Sequence, residues 1–158
     1  MFGRLVKTLL FTLVMPGTVG LYVPQALKHG GASLPGAARY SGAALLLCGA
    51  LIYFCCAWDF VSKGRGTPAP IDAPEKLVVH GFYKLTRNPM YVGVASVIFG
   101  QALYYRSRAV AIYGCFVVLA FHTFVLLYEE PTLKRLFGAQ YDEYCGNVPR
   151  WIVRFRRG

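Results

Sequence analysis

The uncharged stretch AVAIYGCFVVLAFHTFVLLY, residues 109–128, decides the fold class. A helix needs about 20 mostly apolar residues to cross the hydrocarbon core of a bilayer, and this stretch has that length. Three other stretches of similar length also lack Asp, Glu, Lys and Arg, and they cover residues 8–27, 40–58 and 88–105. The sequence therefore predicts an all-α integral membrane protein, a single membrane domain over residues 1–158 with four transmembrane helices.

The composition agrees with a membrane location. Apolar residues make up 56% of the chain and charged residues only 15%, whereas soluble domains carry about 25% charged residues. A chain this apolar is not intrinsically disordered. The five cysteines are odd in number and lie mostly in uncharged stretches, which does not fit a disulfide-stapled secreted module.

Two of the stretches have special features. Arg4 and Lys7 precede residues 8–27 as in a secretory signal, but the uncharged run is long and a good cleavage site is missing, so we expect a retained helix. The small residues Gly93, Ser96 and Gly100 give the third stretch a face for close helix contact. Only residues 106–108 link the third and fourth helices, which predicts an antiparallel hairpin.

Topology explains the net charge of +10. Four spans place both termini on one side of the membrane, together with the loop 59–87. That side holds all seven acidic residues and thirteen of the seventeen basic residues. The positive-inside rule assigns it to the cytoplasm, so no nucleic-acid partner is needed to account for the charge. We expect a multi-pass protein of the inner or plasma membrane of a prokaryote, with both termini and the active site in the cytoplasm.

The tail after the fourth span has the pattern of a helix. Pro131 suits a first-turn position, and Leu133, Leu136 and Phe137 form an apolar stripe at helical spacing. The segment 145–149 would end it. The sequence therefore predicts a cytoplasmic amphipathic C-terminal helix.

Polar residues with chemical potential gather at the cytoplasmic ends of the third and fourth spans. The segment GFYKLTRNPMYVG, residues 81–93, places Arg87, Asn88 and Tyr91 at one such end. The pair Glu129 and Glu130 lies at the other, where acids at a helix C-terminus need cationic partners. The alternatives are a membrane-interface belt for the first group and a solvated start of the tail helix for the second.

His122 lies inside the fourth span, on the same helical face as Glu129. Ionisable groups within a membrane are candidates for function, and the alternative is a neutral histidine that hydrogen-bonds between helices. No His/Cys cluster has the spacing of a zinc site, so no metal is expected.

Two motifs resemble a known enzyme family. LVVHGFY (residues 77–83) and RNPMYVG (residues 87–93) are similar to the signature L-V-x-x-G-x-Y-x-x-x-R-[HN]-P-x-Y-x-G of the isoprenylcysteine carboxyl methyltransferases, which are integral-membrane enzymes. The tail EEPTLKRLFGAQYDEYCGNVP (residues 129–149) is similar to the C-terminal block of that family. The resemblance covers residues 75–150, and phospholipid methyltransferases and sterol reductases share a related core.

The resemblance implies a site for S-adenosylmethionine, released as S-adenosylhomocysteine, between the segments 75–93 and 129–150. By position, Glu129 would hold the ribose hydroxyls or the amino group of the cofactor, and Arg87 would fix the acidic pair or the cofactor carboxylate. Arg87, Glu130 and His122 are the catalytic candidates, with His122 or an acid as general base if the acceptor needs one. The remaining residues expected to bind the cofactor are Lys76, Leu77, Val78, Tyr83, Asn88, Pro89, Met90 and Tyr91.

The substrate expectation rests on one departure from the family. The prenylcysteine branch has an arginine one turn before the acidic pair, where it meets the substrate carboxylate, and this chain has Val125 there. We therefore expect a lipophilic small molecule or lipid that is uncharged or differently charged, with membrane lipids as the surroundings. The alternatives are an NADPH-dependent reductase related to the sterol reductases, and a non-catalytic lipid-binding membrane protein.

Overall fold

The structure is a computed structural model that describes residues 2–28, 36–64 and 76–151. Every regular element within these ranges is helical, which confirms the all-α prediction for the described part of the chain. The helices are α1 (Phe2–Gly17), α2 (Val23–Leu27), α3 (Ala37–Asp59), α4 (Pro89–Tyr105), α5 (Arg108–Phe124), α6 (Glu130–Phe137) and α7 (Ala139–Asn147). Single π-helical turns cover Thr18–Tyr22, Phe60–Gly64 and Val125–Glu129, and a 3-10 turn covers Gly81–Lys84.

Among the residues that the structure describes, three helical stretches are long and apolar enough to cross a membrane: Thr8–Leu27, Arg39–Ser62 and Arg108–Phe137. They cover the first, second and fourth predicted spans. The third predicted span is α4, which has 17 residues and a length of about 25 Å. It packs against α2, α3 and α5, so much of its surface faces protein.

Paired glycines let α3 and α4 approach closely. A Cβ placed on Gly49 would lie 2.6 Å from the carbonyl oxygen of Gly93, and one on Gly42 would lie 2.8 Å from that of Gly100. The predicted small-residue face of α4 therefore meets glycines of α3 that are also seven residues apart. Side chains larger than hydrogen would force the two helices apart.

Buried polar contacts fix the first helical stretch against α4 and α5. Pro24 has no N–H, so the carbonyl of Gly20 cannot receive its usual helical hydrogen bond. The Nε2 of Gln101 donates to this oxygen at 2.5 Å, and the hydroxyl of Tyr113 donates to the carbonyl of Val19 at 3.0 Å. These bonds satisfy backbone groups that a bilayer could not.

The link between α4 and α5 is tight. Arg106 adopts a left-handed conformation with φ 52°, and the N–H of Ser107 donates to the carbonyl of Ala102 at 2.9 Å. The Ser107 side chain then caps α5 by accepting from the N–H of Val110 at 3.3 Å. The two helices are therefore packed together directly after a reversal of the chain.

The tail forms two helices where the sequence predicted one. The helical path of α5 continues through the turn Val125–Glu129 into α6, and Gly138, with φ 50°, ends α6 and starts α7. The positive φ, which glycine adopts without strain, produces the break. α7 returns toward the segment before α4, where Tyr141, Tyr144 and Val148 pack against Leu77 and Val79.

Candidate active site

The two sequence blocks meet through backbone hydrogen bonds. The N–H of Arg87 donates to the carbonyl of Pro149 at 2.9 Å. The carbonyl of Arg150 accepts from the Thr86 hydroxyl at 2.8 Å and from the Asn88 Nδ2 at 3.1 Å. The segment after α7 is therefore held on the segment that leads into α4.

Glu130 joins this interface to the end of the long helical path. Its carboxylate accepts from the Nε of Arg150 at 2.6 Å and from a terminal nitrogen of the same guanidinium at 2.9 Å. It also lies 3.1 Å from a terminal nitrogen of Arg87, in a pair whose side chains are only 13% and 18% exposed. The hydrogen bond that Arg150 donates to Glu130 raises the pKa of Arg150. One carboxylate is thus shared by two guanidinium groups, so the cluster keeps one net positive charge in a place with little water.

Arg87 has a further contact and an unused donor. Its terminal nitrogen lies 2.8 Å from the Sγ of Cys145. Its Nε is buried without a hydrogen-bond partner among the described residues. An unsatisfied buried donor is costly unless a ligand supplies an acceptor.

Glu129 faces the opposite way from its neighbour in sequence. Its Oε2 accepts from the hydroxyl of Tyr91 at 2.7 Å, and within the described ranges it forms no ion pair. Glu130 thus holds the tail through two arginines, whereas the Glu129 carboxyl group lies beside a tyrosine of α4.

His122 contacts the tail. The Nε1 of Trp151 donates to the Nδ1 of His122 at 3.0 Å, so this nitrogen carries no proton. The Trp151 ring also lies edge-on to Tyr91, with centroids 6.4 Å apart. His122 is thus hydrogen-bonded to the tail rather than to another helix, and its role as a general base stays a prediction.

Gly81 occupies a position that tolerates no side chain. Its φ is +56°, and a Cβ would lie 2.6 Å from the Oδ2 of Asp59, the buried last residue of α3. The following turn places Tyr83 so that its carbonyl accepts from the hydroxyl of Tyr144 at 2.7 Å. Burial raises the pKa of the Tyr144 phenol, although Arg87 lowers it in part, so the hydroxyl keeps the proton that it donates.

A cavity of about 250 Å³ lies beside these groups. Pockets for small ligands usually start near about 300 Å³, so this one is small. Aromatic and aliphatic side chains form most of its wall, and the polar groups gather near the start of α4. The lining residues are Phe11, Met15, Pro16, Val19, Tyr53, Phe60, Tyr83, Arg87, Asn88, Met90, Tyr91, Val94, Phe121, Phe124 and Glu129.

Six of the residues singled out from the sequence line this cavity: Tyr83, Arg87, Asn88, Met90, Tyr91 and Glu129. Glu130 and His122 are not among the lining residues and instead form the contacts described above. Pro89 is buried, Lys76 is exposed, and Leu77 and Val78 pack in apolar clusters instead of lining the cavity. Residue 75 lies outside the described ranges. The cofactor and catalytic roles of all these residues stay predictions.

Sequence reasoning did not single out the other side chains that build the site. The residues from α1 and α5, such as Phe11, Met15 and Phe124, lie in uniformly apolar stretches, where nothing distinguishes them from lipid-facing neighbours. Asp59 could have been noticed as an acid that directly follows a span. In the described part of the chain, no group of three or more His, Cys, Asp and Glu side chains could hold a metal ion.

Comparison with known proteins identifies the family. The phospholipid methyltransferase family model matches residues 37–140, which include α3, α4, α5 and α6. The chain belongs to the phospholipid methyltransferase family. The predicted kinship with membrane methyltransferases is therefore confirmed.

The chain is also similar to two enzymes of Arabidopsis thaliana. Protein-S-isoprenylcysteine O-methyltransferase B is 38% identical over 77 residues, which are 49% of this chain and 39% of that protein. Protein-S-isoprenylcysteine O-methyltransferase A is 36% identical over 72 residues, which are 46% of this chain and 36% of that protein. The match thus spans less than half the length of these relatives. No solved structure matches the chain significantly.

Proposed function

We propose that this chain transfers a methyl group from S-adenosylmethionine to a lipophilic acceptor at the membrane. The observation that supports this most directly is the Glu129 carboxylate on the cavity wall, bound to Tyr91 at 2.7 Å and without an ion-pair partner among the described residues. A buried carboxylate of this kind favours a positively charged ligand. The names of the similar plant enzymes, which are O-methyltransferases, support the same reaction class.

The groups around the cavity fit the chemistry of this cofactor. When bound, S-adenosylmethionine supplies a methyl group on a positively charged sulfur, and it also has an ammonium and a carboxylate. Glu129 and the aromatic wall suit the cationic parts, and the unused Nε of Arg87 suits the carboxylate. The backbone of Lys76, Leu77 and Val78 would hold the adenosine, as expected from the family pattern.

The acceptor would enter from the lipid phase. Phe11, Met15 and Phe124 form an apolar part of the cavity wall and belong to helices that can cross a membrane. Such a wall suits an acyl or prenyl chain, while the reacting end of the molecule reaches the polar groups. With no arginine or lysine in residues 109–128, a lipid-like acceptor without a carboxylate fits better than a prenylcysteine.

The proposal includes the arrangement in the membrane. α4, the third predicted span in chain order, would also cross the membrane and bring the number of spans to four. It would be shielded from lipid by α2, α3 and α5. Both termini and the cavity mouth near Arg87 would then face the cytoplasm of a prokaryotic cell, as the distribution of basic residues indicates.

Calorimetric titration with S-adenosylhomocysteine in detergent tests the proposal. We expect saturable binding to the unaltered chain, and a Kd at least about tenfold weaker for Glu129→Gln, since the charge that complements the ligand is lost. Glu143→Gln, which alters an exposed acid of α7, is the matched control and should bind normally. If the unaltered chain binds no S-adenosylhomocysteine, the proposal is wrong. Binding of NADPH would favour a reductase, and binding of neither compound would favour a non-catalytic lipid-binding protein.

A further inference from the structure

Tyr53 brings a hydroxyl to the apolar part of the cavity. It belongs to α3, lines the cavity and is only 5% exposed. Six residues separate it from Asp59 at the end of the helix, a rise of about 9 Å. A Cβ placed on Gly93 would lie 3.1 Å from the backbone nitrogen of Tyr53, so Tyr53 lies beside the first turns of α4, close to the polar groups of the cavity.

The proton on this hydroxyl can be assigned. The Oγ1 of Thr12 lies 2.9 Å from the Tyr53 oxygen, and the same Oγ1 donates to the carbonyl of Thr8 at 2.7 Å. A threonine hydroxyl has only one proton, so Thr12 must accept from Tyr53. The Tyr53 oxygen keeps lone pairs, and no described group donates to them. Tyr53 thus offers an acceptor, and no donor, to whatever fills the cavity.

The charges around the cavity point in the same direction. Arg87 is the one cation among the described lining residues, and it shares the Glu130 carboxylate, 3.1 Å away, with Arg150. Glu129 places a second carboxyl group on the cavity wall itself. An anionic head group near Tyr53 would meet lone pairs and a carboxylate, whereas a group with its own hydrogen would find a partner.

We propose that Tyr53, held by Thr12, selects methyl acceptors whose reacting atom carries a hydrogen, namely the hydroxyl or the amine of an amphiphile. This inference rests on the proposed function and adds the class of acceptor. Tyr53 acts as a positioning residue: it accepts the hydrogen and thereby orients the reacting atom, while the chain of the amphiphile lies against Phe11 and Met15. A carboxylate or an ether cannot make this bond.

Binding of four probes with the same chain tests the proposal. Dodecanol, dodecylamine, dodecyl methyl ether and dodecanoate are titrated into the detergent-solubilised protein, with and without S-adenosylhomocysteine, and into empty micelles as the blank. We expect the alcohol and the amine to bind about tenfold more tightly than the ether and the carboxylate, the effect of one hydrogen bond in a site shielded from water. Tyr53→Phe should reduce the difference between dodecanol and dodecyl methyl ether, which are both uncharged, to about twofold.

A second variant should remove the preference by strengthening the weak probes, which keeps the test independent of folding. In Thr12→Val the Tyr53 proton loses its acceptor, so it becomes free to donate, and the ether and the carboxylate should gain about tenfold in affinity. Tyr104→Phe is the matched control, because this hydroxyl accepts from Arg39 and does not line the cavity. It should leave the preference unchanged.

Three results would overturn the inference: equal binding of dodecanol and its methyl ether, an unchanged preference in Tyr53→Phe, or binding of none of the probes. Its failure can be told apart from failure of the proposed function. If S-adenosylhomocysteine does not bind, the proposed function is wrong. The probe titrations without S-adenosylhomocysteine still test the role of Tyr53.

Discussion

The hydroxyl of Tyr91 donates to the Oε2 of Glu129 at 2.7 Å, and this hydrogen bond joins two helical segments through residues that are 38 positions apart in the chain. Glu129 and Glu130 are neighbours in sequence, yet they have different tasks. The Glu130 carboxylate pairs with Arg87 and Arg150 and so holds the tail. The Glu129 carboxyl group lies on the cavity wall and is oriented by its hydrogen bond with Tyr91.

Removal of this tyrosine hydroxyl should weaken both the fold and the site. In Tyr91→Phe the buried carboxylate loses its donor, so we expect a loss of about 1–3 kcal/mol in the free energy of unfolding. Affinity for S-adenosylhomocysteine should fall about tenfold, because the carboxylate is no longer oriented. Chemical denaturation and calorimetry measure the two effects. Tyr128→Phe changes an exposed tyrosine beside Glu129 and is the control; equal effects of the two variants would contradict the assignment.

Loss of the Glu130 carboxylate should be much more destabilising than loss of an exposed acid. Glu130→Gln leaves Arg87 and Arg150 without their shared counter-charge, and we expect a cost of about 3 kcal/mol. Asp142→Asn breaks a pair with Lys134 whose side chains are 64% and 55% exposed, and it should cost less than about 0.5 kcal/mol. Denaturant titrations compare the two. A similar cost for both would show that the buried network does not hold the tail.

Gly81 should tolerate no alanine, whereas Gly146 should. Gly81→Ala combines a positive φ with a Cβ only 2.6 Å from the Oδ2 of Asp59, so we expect a loss of at least about 2 kcal/mol. Gly146 lies in α7 with nothing within 4 Å of its Cβ position, and alanine there should stabilise by about 0.5–1 kcal/mol. Thermal unfolding in detergent gives both values, and a neutral Gly81→Ala would refute the steric argument.

The docked tail should loosen at alkaline pH. Burial raises the pKa of Tyr144 above its ordinary value of about 10. A group whose pKa is raised by folding stabilises the folded state fully below its unfolded pKa, and this contribution is lost as pH rises toward the folded pKa. Stability should therefore decline above about pH 10. Tyr144→Phe should remove one titrating proton and reduce the slope of stability against pH by up to about 1.4 kcal/mol per pH unit. The remaining slope is due to Tyr83 and Tyr141, whose pKa values burial also raises.

Hydropathy and small-residue spacing were sufficient to predict the helices of the membrane domain. The uncharged stretch 109–128 and the three other uncharged stretches can be recognised from local composition alone. The spacing of Gly93 and Gly100 predicted a close helix contact, and the structure shows that the partner is α3. The length of α4 was harder to interpret, because a helix surrounded by protein can be shorter and can keep a buried Gln101.

The motif residues that meet at the cavity could also be named in advance, but their partners could not. From the sequence, Arg87 could fix either the acidic pair or the cofactor carboxylate. Only the fold shows that one of its terminal nitrogens pairs with Glu130 and also contacts Cys145. The contact between Trp151 and His122 depends on the path of the tail after Gly138. Tyr53 and Thr12 became visible only through a hydrogen bond between helices, for which a single sequence gives no signal.

The unbroken path from Arg108 to Phe137 has a consequence for the lipid surroundings. Its 30 residues span about 45 Å, whereas the hydrocarbon core measures about 30 Å. The acidic pair thus lies in a long helical path, at the end of its π-helical turn, and the tilt of this path depends on bilayer thickness. A thinner membrane would incline it and shift Glu129 relative to Tyr91, so the chain length of the host lipids should act as a control on the site.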